Sequence, residues 1–345
     1  MDAAVTAAVA PPTVQVRVDH HSAVHLAAAS ARTVAQRCGM PGALPDQAAV
    51  IASELASNLH KHAKDGTLYV QPLPLGAGLE ILTADRGPGI PEIERCLSDG
   101  YTTSGTLGAG LGAVSRIATV LTIRSRAGGG DDAGTLVCAR LTPPGGREAA
   151  QQGIGALCLP VEGEEECGDA CAVVDTGESR TAAVVDGLGH GKDAAHAART
   201  ALRTFHDDPR RPLPDLLTAM NRALRNTRGA AVGLLRLQDG QADYCGIGNV
   251  RVVTVSGRQV DGRMGGQPGI VGWSMPVPQI RRLPLPSGAT AVLHSDGVDT
   301  RWTHAPPPHL LRLPPPLLSA ALVHGHRRIR DDATVLTAKQ PPRPR

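Results

Sequence analysis

Aromatic side chains are scarce: one Phe, two Trp and three Tyr among 345 residues. With so few stacking platforms, binding of single-stranded nucleic acid is set aside, and any core must be built from Ala, Val, Leu and Ile. Long runs of one charge are also missing. The 35 Lys and Arg and the 32 Asp and Glu are interspersed and leave a net charge of +3, which is not the footprint of a polyanion binder. No apolar run approaches a membrane span, and Met1–Pro12 has neither the basic start nor the continuous apolar stretch of a secretory signal. These absences point to the cytoplasm. The seven cysteines (Cys38, Cys96, Cys138, Cys158, Cys167, Cys171, Cys245) contain no CxxC pair, so neither a disulfide framework nor a zinc ribbon is indicated. Buried thiols are expected, with Cys167 and Cys171 the only close pair. There is no G-x-x-x-x-G-K-[ST] phosphate cradle and no internal repeat.

What is present suffices for two domains: the length exceeds one typical domain, and 41% of residues are hydrophobic at a mean hydropathy of -0.10. Val14, Val16 and Val18 alternate with polar residues as in a half-buried strand, and an Ala-rich helix follows over residues 22–37. Pro45-Asp46 opens another helix. There Ile51, Leu55 and Leu59 form an apolar stripe, with Glu54, Asn58 and His62 as a polar stripe beside it. Strand-like runs at 68–71, 79–83, 121–125 and 136–141 surround a helical run near 111–120. Residues 142–152, with Pro143-Pro144-Gly145-Gly146, read as a linker. Beyond it, short strands dominate (155–159, 170–174, 181–185, 230–237, 242–246, 250–255, 291–294), interrupted by helices near 194–204 and 213–226. Two packed sheets with flanking helices are expected there, and the Pro-rich residues 305–316 are expected as a surface excursion.

Glu54 and Asn58 stand one turn apart, offering a carboxylate to activate water or a hydroxyl and an amide oxygen for a hydrated cation. A solvated helix face is the plainer account of that pair. Asp85-Arg86-Gly87-Pro88-Gly89-Ile90 follows a strand, where the aspartate can accept from an exocyclic amine while Gly87 and Gly89 permit close backbone approach. A strand-to-loop turn accounts for it equally. Gly105-Thr106-Leu107-Gly108-Ala109-Gly110-Leu111-Gly112 precedes a helix and can close over phosphates with its N–H groups, or be a plain loop. Gly134-Thr135 opens the last strand of this half.

The order of these pieces, with SELASNLHKHA at 53–63 and ADRGPGIPEIERCLSDGYTTSGTLGAGLGAVSRI at 84–117, resembles the GHKL-type ATPases, and among them the anti-sigma-factor serine kinases of the RsbT and RsbW kind. The resemblance covers nearly all of residues 14–141. It implies ATP and Mg2+ as cofactors, Glu54 as general base, Asn58 as the Mg2+ holder, Asp85 as the adenine reader and residues 105–112 as the phosphate cover. Gly87, Gly89, Gly105, Thr106, Leu107, Gly108, Gly110, Leu111 and Thr135 would complete the nucleotide site. The acceptor would be a STAS-domain protein, and catalysis mainly positioning and charge neutralisation.

In the second half, Gly168-Asp169, Asp186-Gly187-Leu188-Gly189-His190-Gly191, Ser295-Asp296-Gly297 and Asp331-Asp332-Ala333-Thr334 each border a strand-like run. Strand-end carboxylates can converge on hard divalent cations, although Asp-Gly alone is an ordinary turn dipeptide. His190, His20, His21, His324 and His326 are expected as loop or surface residues. Together with GIGNVR at 246–251, GQPGIVG at 266–272 and DDATVL at 331–336, this half resembles the PP2C-like phosphatases of the SpoIIE and RsbX type. The resemblance implies two Mn2+ or Mg2+ ions held by Asp169, Asp186, Asp296 and Asp331, with a carbonyl from Gly187. Asp332 is an alternative to Asp331. Cys167 stands where that family usually shows Ser, and residues 305–316 depart from its usual sequence.

The expectation is therefore an α/β (α+β) chain of two domains, a GHKL-type α/β sandwich followed by a PP2C-like α/β/β/α sandwich. The expected boundaries are a flexible 1–12, a kinase-like domain at 13–142, a linker at 143–152, a phosphatase domain at 153–338 and a tail at 339–345. The expected function is a bifunctional partner-switching regulator acting on STAS-domain phosphoproteins, with a further switch protein as a possible partner and neither nucleic acid nor membrane. Two alternatives are a phosphatase with an ATP-sensing or protein-binding N-terminal module, and an ATPase fragment of the chaperone or topoisomerase kind.

Overall fold

Alanine decides how the first half packs. A computed structural model describes residues 12–93, 110–128 and 133–341, and the chain divides into two compact units at 152/153. The first, Thr13–Gln152, contains β1 (Val14–Arg17), α1 (Ser22–Arg37), α2 (Leu44–His62), β2 (Thr67–Pro72), β3 (Leu79–Ala84), α3 (Gly110–Ile117), β4 (Val120–Arg126), β5 (Gly134–Leu141) and α4 (Arg147–Gln151). Its antiparallel sheet runs β1-β2-β3-β5-β4. Ala27, Ala31 and Ala35 of α1 and Ala48, Ala52 and Ala56 of α2 are fully buried. Their small side chains let the two helices approach each other and lie on Val16, Leu68, Val70, Ile81 and Val137 of the sheet. Dense packing thus replaces aromatic bulk.

The apolar stripe of α2 is buried as its spacing predicts, Ile51 at 0%, Leu55 at 2% and Leu59 at 4% exposure, while Glu54 and Asn58 are half-buried and His62 is exposed. The helical run near 111–120 is shorter than expected: α3 stops at Ile117 and β4 begins at Val120. The linker reading of 142–152 also needs correction. Gly146 N–H closes a turn onto the Pro143 carbonyl at 3.0 Å, α4 follows, and the Arg140 guanidinium donates to the Ala150 carbonyl at 2.9 Å. A buried cation holds that stretch to β5, so it belongs to the first unit.

The second unit holds two sheets, built from β6 (Ile154–Leu159), β7 (Asp169–Asp175), β8 (Arg180–Gly187), α5 (Lys192–Asp207), α6 (Leu213–Ala223), β9 (Ala230–Gln238), β10 (Gln241–Ile247), β11 (Arg251–Val255), β12 (Val260–Gly265), β13 (Arg281–Pro284), β14 (Thr290–His294), α7 (Pro308–Leu311), α8 (Pro315–His326) and β15 (Ala333–Ala338). The strand orders are β13-β10-β9-β8-β7 and β12-β11-β14-β15-β6. The helices α5 and α6 cover the first sheet through Ala197, Ala201, Leu202, Phe205, Leu216 and Leu217, and α8 packs on β6 and β15. This is the α/β/β/α layering that the sequence leads one to expect.

Two strands escaped the sequence, β12 and β13. Each is the outermost strand of its sheet, so each lacks the alternating apolar face that burial would impose. The Pro-rich stretch differs as well: Leu310, Leu311 and Leu313 are buried at 5–8% exposure, and Pro315 starts α8 where a missing N–H costs nothing. No helix among the described residues is long and apolar enough to cross a membrane.

Candidate functional sites

In the first unit, Asp85 is fixed by the end of β5. Its N–H donates to the Thr135 carbonyl at 3.1 Å, and its Oδ1 accepts from Gly87 N–H at 2.7 Å and Thr135 N–H at 3.3 Å. Both of these bonds fall on Oδ1 and leave Oδ2 for a ligand. Burial raises the Asp85 pKa, and the two N–H donors oppose that rise. Thr135 therefore acts through Asp85. Its hydroxyl lies 2.9 Å from Ser125 Oγ, which also accepts from Ile90 N–H at 2.6 Å, so one serine of β4 ties the Asp85 loop to β5. Ser125 was not legible in the sequence, because it works through neighbours 10 and 35 positions away.

Gly89 and Gly134 are required for this closeness. A Cβ on Gly89 (φ +75°) would sit 2.2 Å from the Arg126 carbonyl oxygen, and one on Gly134 (φ +151°) 2.1 Å from that of Asp85. Gly87 packs on the His62 carbonyl at the end of α2, one turn beyond Asn58. Burial raises the Glu54 pKa, with Lys61 lowering it, so Glu54 holds a proton more readily than a surface carboxylate. Gly110 opens α3 with open space around it. Leu111 is buried in the core, so only its backbone can meet a ligand. Gly105, Thr106, Leu107 and Gly108 lie outside the described residues.

In the second unit, β7 and β8 pair so that Asp169 faces Asp186 directly. Asp296 follows β14 and Asp331 precedes β15, two strands of the other sheet. Ser295 joins the sheets: its hydroxyl donates to Asp169 Oδ2 at 2.6 Å and accepts from Thr334 N–H at 3.0 Å. Burial and the negative charges of Asp296 and Asp331 push Asp186 up to about 8, against a lowering hydrogen bond from Asn249. Burial, then the Asp186 charge, holds Asp169 well above the usual carboxylate range. Asp331 is raised by burial and by Asp296.

Asp332 turns elsewhere, its Oδ1 accepting from Val161 N–H at 2.9 Å and its Oδ2 lying over Gly168. Of the two adjacent aspartates it is thus Asp331 that shares the electrostatics of Asp186 and Asp296. Gly187 can carry no side chain, since a Cβ would sit 2.3 Å from the Ala194 carbonyl oxygen; at Gly297 it would sit 1.8 Å from that of Asp332. Among the described residues, no three His, Cys, Asp or Glu side chains are already arranged to hold a metal ion. Asp186 and Asp296 instead hydrogen-bond each other. The donor chemistry nevertheless fits a hard divalent cation, whose charge would relieve the repulsion that raises Asp186.

Asn249 and Ser295 are the residues that sequence reasoning missed here, although both lie inside or beside motifs it singled out, GIGNVR and the Ser-Asp-Gly step. His190 is an exposed loop residue 3.2 Å from Glu164, and His20 and His21 are exposed. His324 and His326 are half-buried on α8, not on the surface as expected. Cys167 does not approach Cys171; its sulfur lies 3.5 Å from that of Cys158.

Two face-packed antiparallel sheets with helices outside, and carboxylates gathered where both sheets end, form the layering of the PP2C-like fold. Residues 177–341 match the family described as Stage II sporulation protein E (SpoIIE). The serine/threonine-protein kinase RsbT of Bacillus subtilis is 38% identical over 105 residues, 29% of this chain and 77% of RsbT. The phosphoserine phosphatase RsbX of the same organism is 29% identical over 97 residues, 28% of this chain and 49% of RsbX, so the match spans about half of that relative. A solved structure of the bacterial stressosome is similar at 31% identity and a TM-score of 0.49, covering 54% of this chain and 98% of that one. RsbX in complex with magnesium is similar at 22% identity and a TM-score of 0.46, covering 54% and 93%. The chain belongs to the RsbT family of partner-switching regulators and carries in addition a SpoIIE domain of the PP2C-like class.

Proposed function

We propose that the chain is a bifunctional partner-switching regulator, phosphorylating a serine or threonine on STAS-domain proteins with one unit and removing the phosphate with the other. The observation that carries the reading is the crowding of Asp186, Asp296 and Asp331, contributed by two sheets; burial first, and then this crowding, pushes Asp186 up to about 8. Such crowding costs stability and is tolerated where function requires it. Asp169, Asp186, Asp296, Asp331 and the Gly187 carbonyl would hold Mn2+ or Mg2+, which when bound supplies Lewis-acid activation of water and neutralises phosphate charge. Asn249 orients the Asp186 carboxyl, and Ser295 holds Asp169 in place.

In the first unit, Asp85 Oδ2 would accept from the adenine amine of ATP while Oδ1 stays anchored to the backbone. Asn58 would hold Mg2+, and Glu54 would take the proton from the acceptor hydroxyl, a role suited to a carboxylate whose pKa is raised by burial. The protein substrates, the ATP site and a cytoplasmic location are parts of the same proposal.

The first test is Mn2+-dependent release of p-nitrophenol from p-nitrophenyl phosphate by the chain and by Asp186→Asn. Activity that the substitution abolishes supports a working phosphatase; metal-dependent activity that survives it refutes the assignment of Asp186. For the first unit, labelled phosphate should pass from ATP to a STAS-domain protein and not do so with Glu54→Ala. Tight ATP binding without any transfer would leave that unit as a nucleotide-sensing module.

A further inference from the structure

Cys158 is the penultimate residue of β6, and Cys167 stands two residues before β7, each strand lying at the edge of a different sheet. Their sulfurs are 3.5 Å apart, and Cys158 Sγ is 3.4 Å from the Asp169 carbonyl oxygen. Cys158 is half-buried, whereas Cys167 is 6% exposed. A bond of about 2.05 Å between them needs an approach of only about 1.5 Å, within reach of side-chain rotation and a small shift of the connecting segment. Cys167 and Cys171, the pair close in sequence, are separated by four residues of extended chain, about 13 Å, and cannot be joined.

We propose that Cys158 and Cys167 form a reversible disulfide when the protein meets a hydroperoxide, and that the bond disables the carboxylate site beside it; the second part rests on the phosphatase reading of that site. The more accessible Cys158 thiolate attacks a peroxide oxygen, the O–O bond breaks, and hydroxide leaves a sulfenic acid on Cys158. The Cys167 sulfur then attacks that sulfenic sulfur, the S–S bond forms, the S–O bond breaks, and the departing hydroxide takes up the Cys167 proton as water. Two thiols are oxidised, one hydrogen peroxide is reduced, and two waters result.

The consequence for the site follows from what Cys167 is attached to. The next residue, Gly168, accepts from Gly187 N–H at 3.0 Å, and the one after it, Asp169, is held by Ser295 at 2.6 Å. Drawing Cys167 toward Cys158 pulls on both of these, and so on the spacing of Asp169 to Asp186. Substitution of Cys167 by Ser, the residue usual in the resembling phosphatases, removes the bond and leaves a side chain of the same shape.

The test uses the full chain, reduced and then exposed to graded hydrogen peroxide. Intact mass and peptide mapping read the bond, and Mn2+ affinity and p-nitrophenyl phosphate hydrolysis read the site. The expected result is a loss of two hydrogens, a cross-link joining Cys158 to Cys167, and a fall in Mn2+ affinity of at least about tenfold. Dithiothreitol should reverse all three, and Cys167→Ser should show none of them while Cys171→Ser behaves as the parent. Absence of the cross-link overturns the proposal, as does a cross-link that leaves Mn2+ affinity unchanged. If the reduced chain hydrolyses nothing yet the cross-link forms and Mn2+ affinity falls, the redox proposal stands and the phosphatase reading fails.

Discussion

At the scale of single residues, the two adjacent aspartates at 331 and 332 show how a dipeptide divides its labour. Asp331 shares the charge crowding of Asp186 and Asp296, whereas Asp332 is an anchor for Val161 N–H. Asp331→Asn should therefore abolish Mn2+-dependent hydrolysis. Asp332→Asn keeps an oxygen that can accept from Val161 and should retain Mn2+ binding, a contrast that calorimetric titration of both variants would resolve. Asn249→Ala should weaken Mn2+ binding by about 10–100-fold, the usual cost of removing a group that orients a ligand, with an unchanged circular-dichroism spectrum. Asp186 and Asp296 were legible as candidates because each opens an Asp-Gly step at a strand end, and Asp331 because it opens the DDATVL motif at the last strand. Asn249, Ser125 and Ser295 were less so, because a hydrogen bond to a distant partner imposes no spacing on the sequence.

Among elements, the strands of the first unit are tied by a polar chain that no hydropathy pattern reveals. Thr13 Oγ1 donates to Gln71 Oε1 at 2.5 Å, Gln71 Nε2 to Glu80 Oε1 at 2.9 Å, and Arg140 Nε to Glu80 Oε2 at 2.6 Å. Glu80 and Arg140 are both buried, so each compensates the desolvation of the other. Arg140→Ala leaves a buried carboxylate unpaired and frees α4, and should cost about 3–5 kcal/mol in urea unfolding. Gly134→Ala would place a methyl against the Asp85 carbonyl in a backbone region that L-residues avoid. Its expected effect is a loss of ATP affinity larger than its effect on stability, read by nucleotide titration beside thermal unfolding. The helices α1 and α2 were legible from the alanines of α1 and the 3.6-residue period of α2, whereas the short α4 was hidden in a stretch that reads as a linker. The edge strands β12 and β13 were not legible, since neither alternates buried and exposed residues along its length.

For the molecule as a whole, the two opposed chemistries proposed for the chain should be separable by one substitution each. With ATP, Mn2+ and a STAS-domain protein present together, Asp186→Asn should drive that protein toward its phosphorylated form and Glu54→Ala toward its free form, as read by phosphate-affinity electrophoresis. Equal phosphorylation in both variants would refute the division of labour. The polar edge strands bear on how such a chain survives at high concentration in a crowded cell. Asp261 and Arg263 on β12, and Arg281, Arg282 and Pro284 on β13, occupy the outer rows of both sheets. A second molecule that tried to extend either sheet would have to bury those charges and meet a proline without a donor. The composition that hid these strands from a hydropathy reading is therefore what discourages the chain from growing into aggregates along those edges.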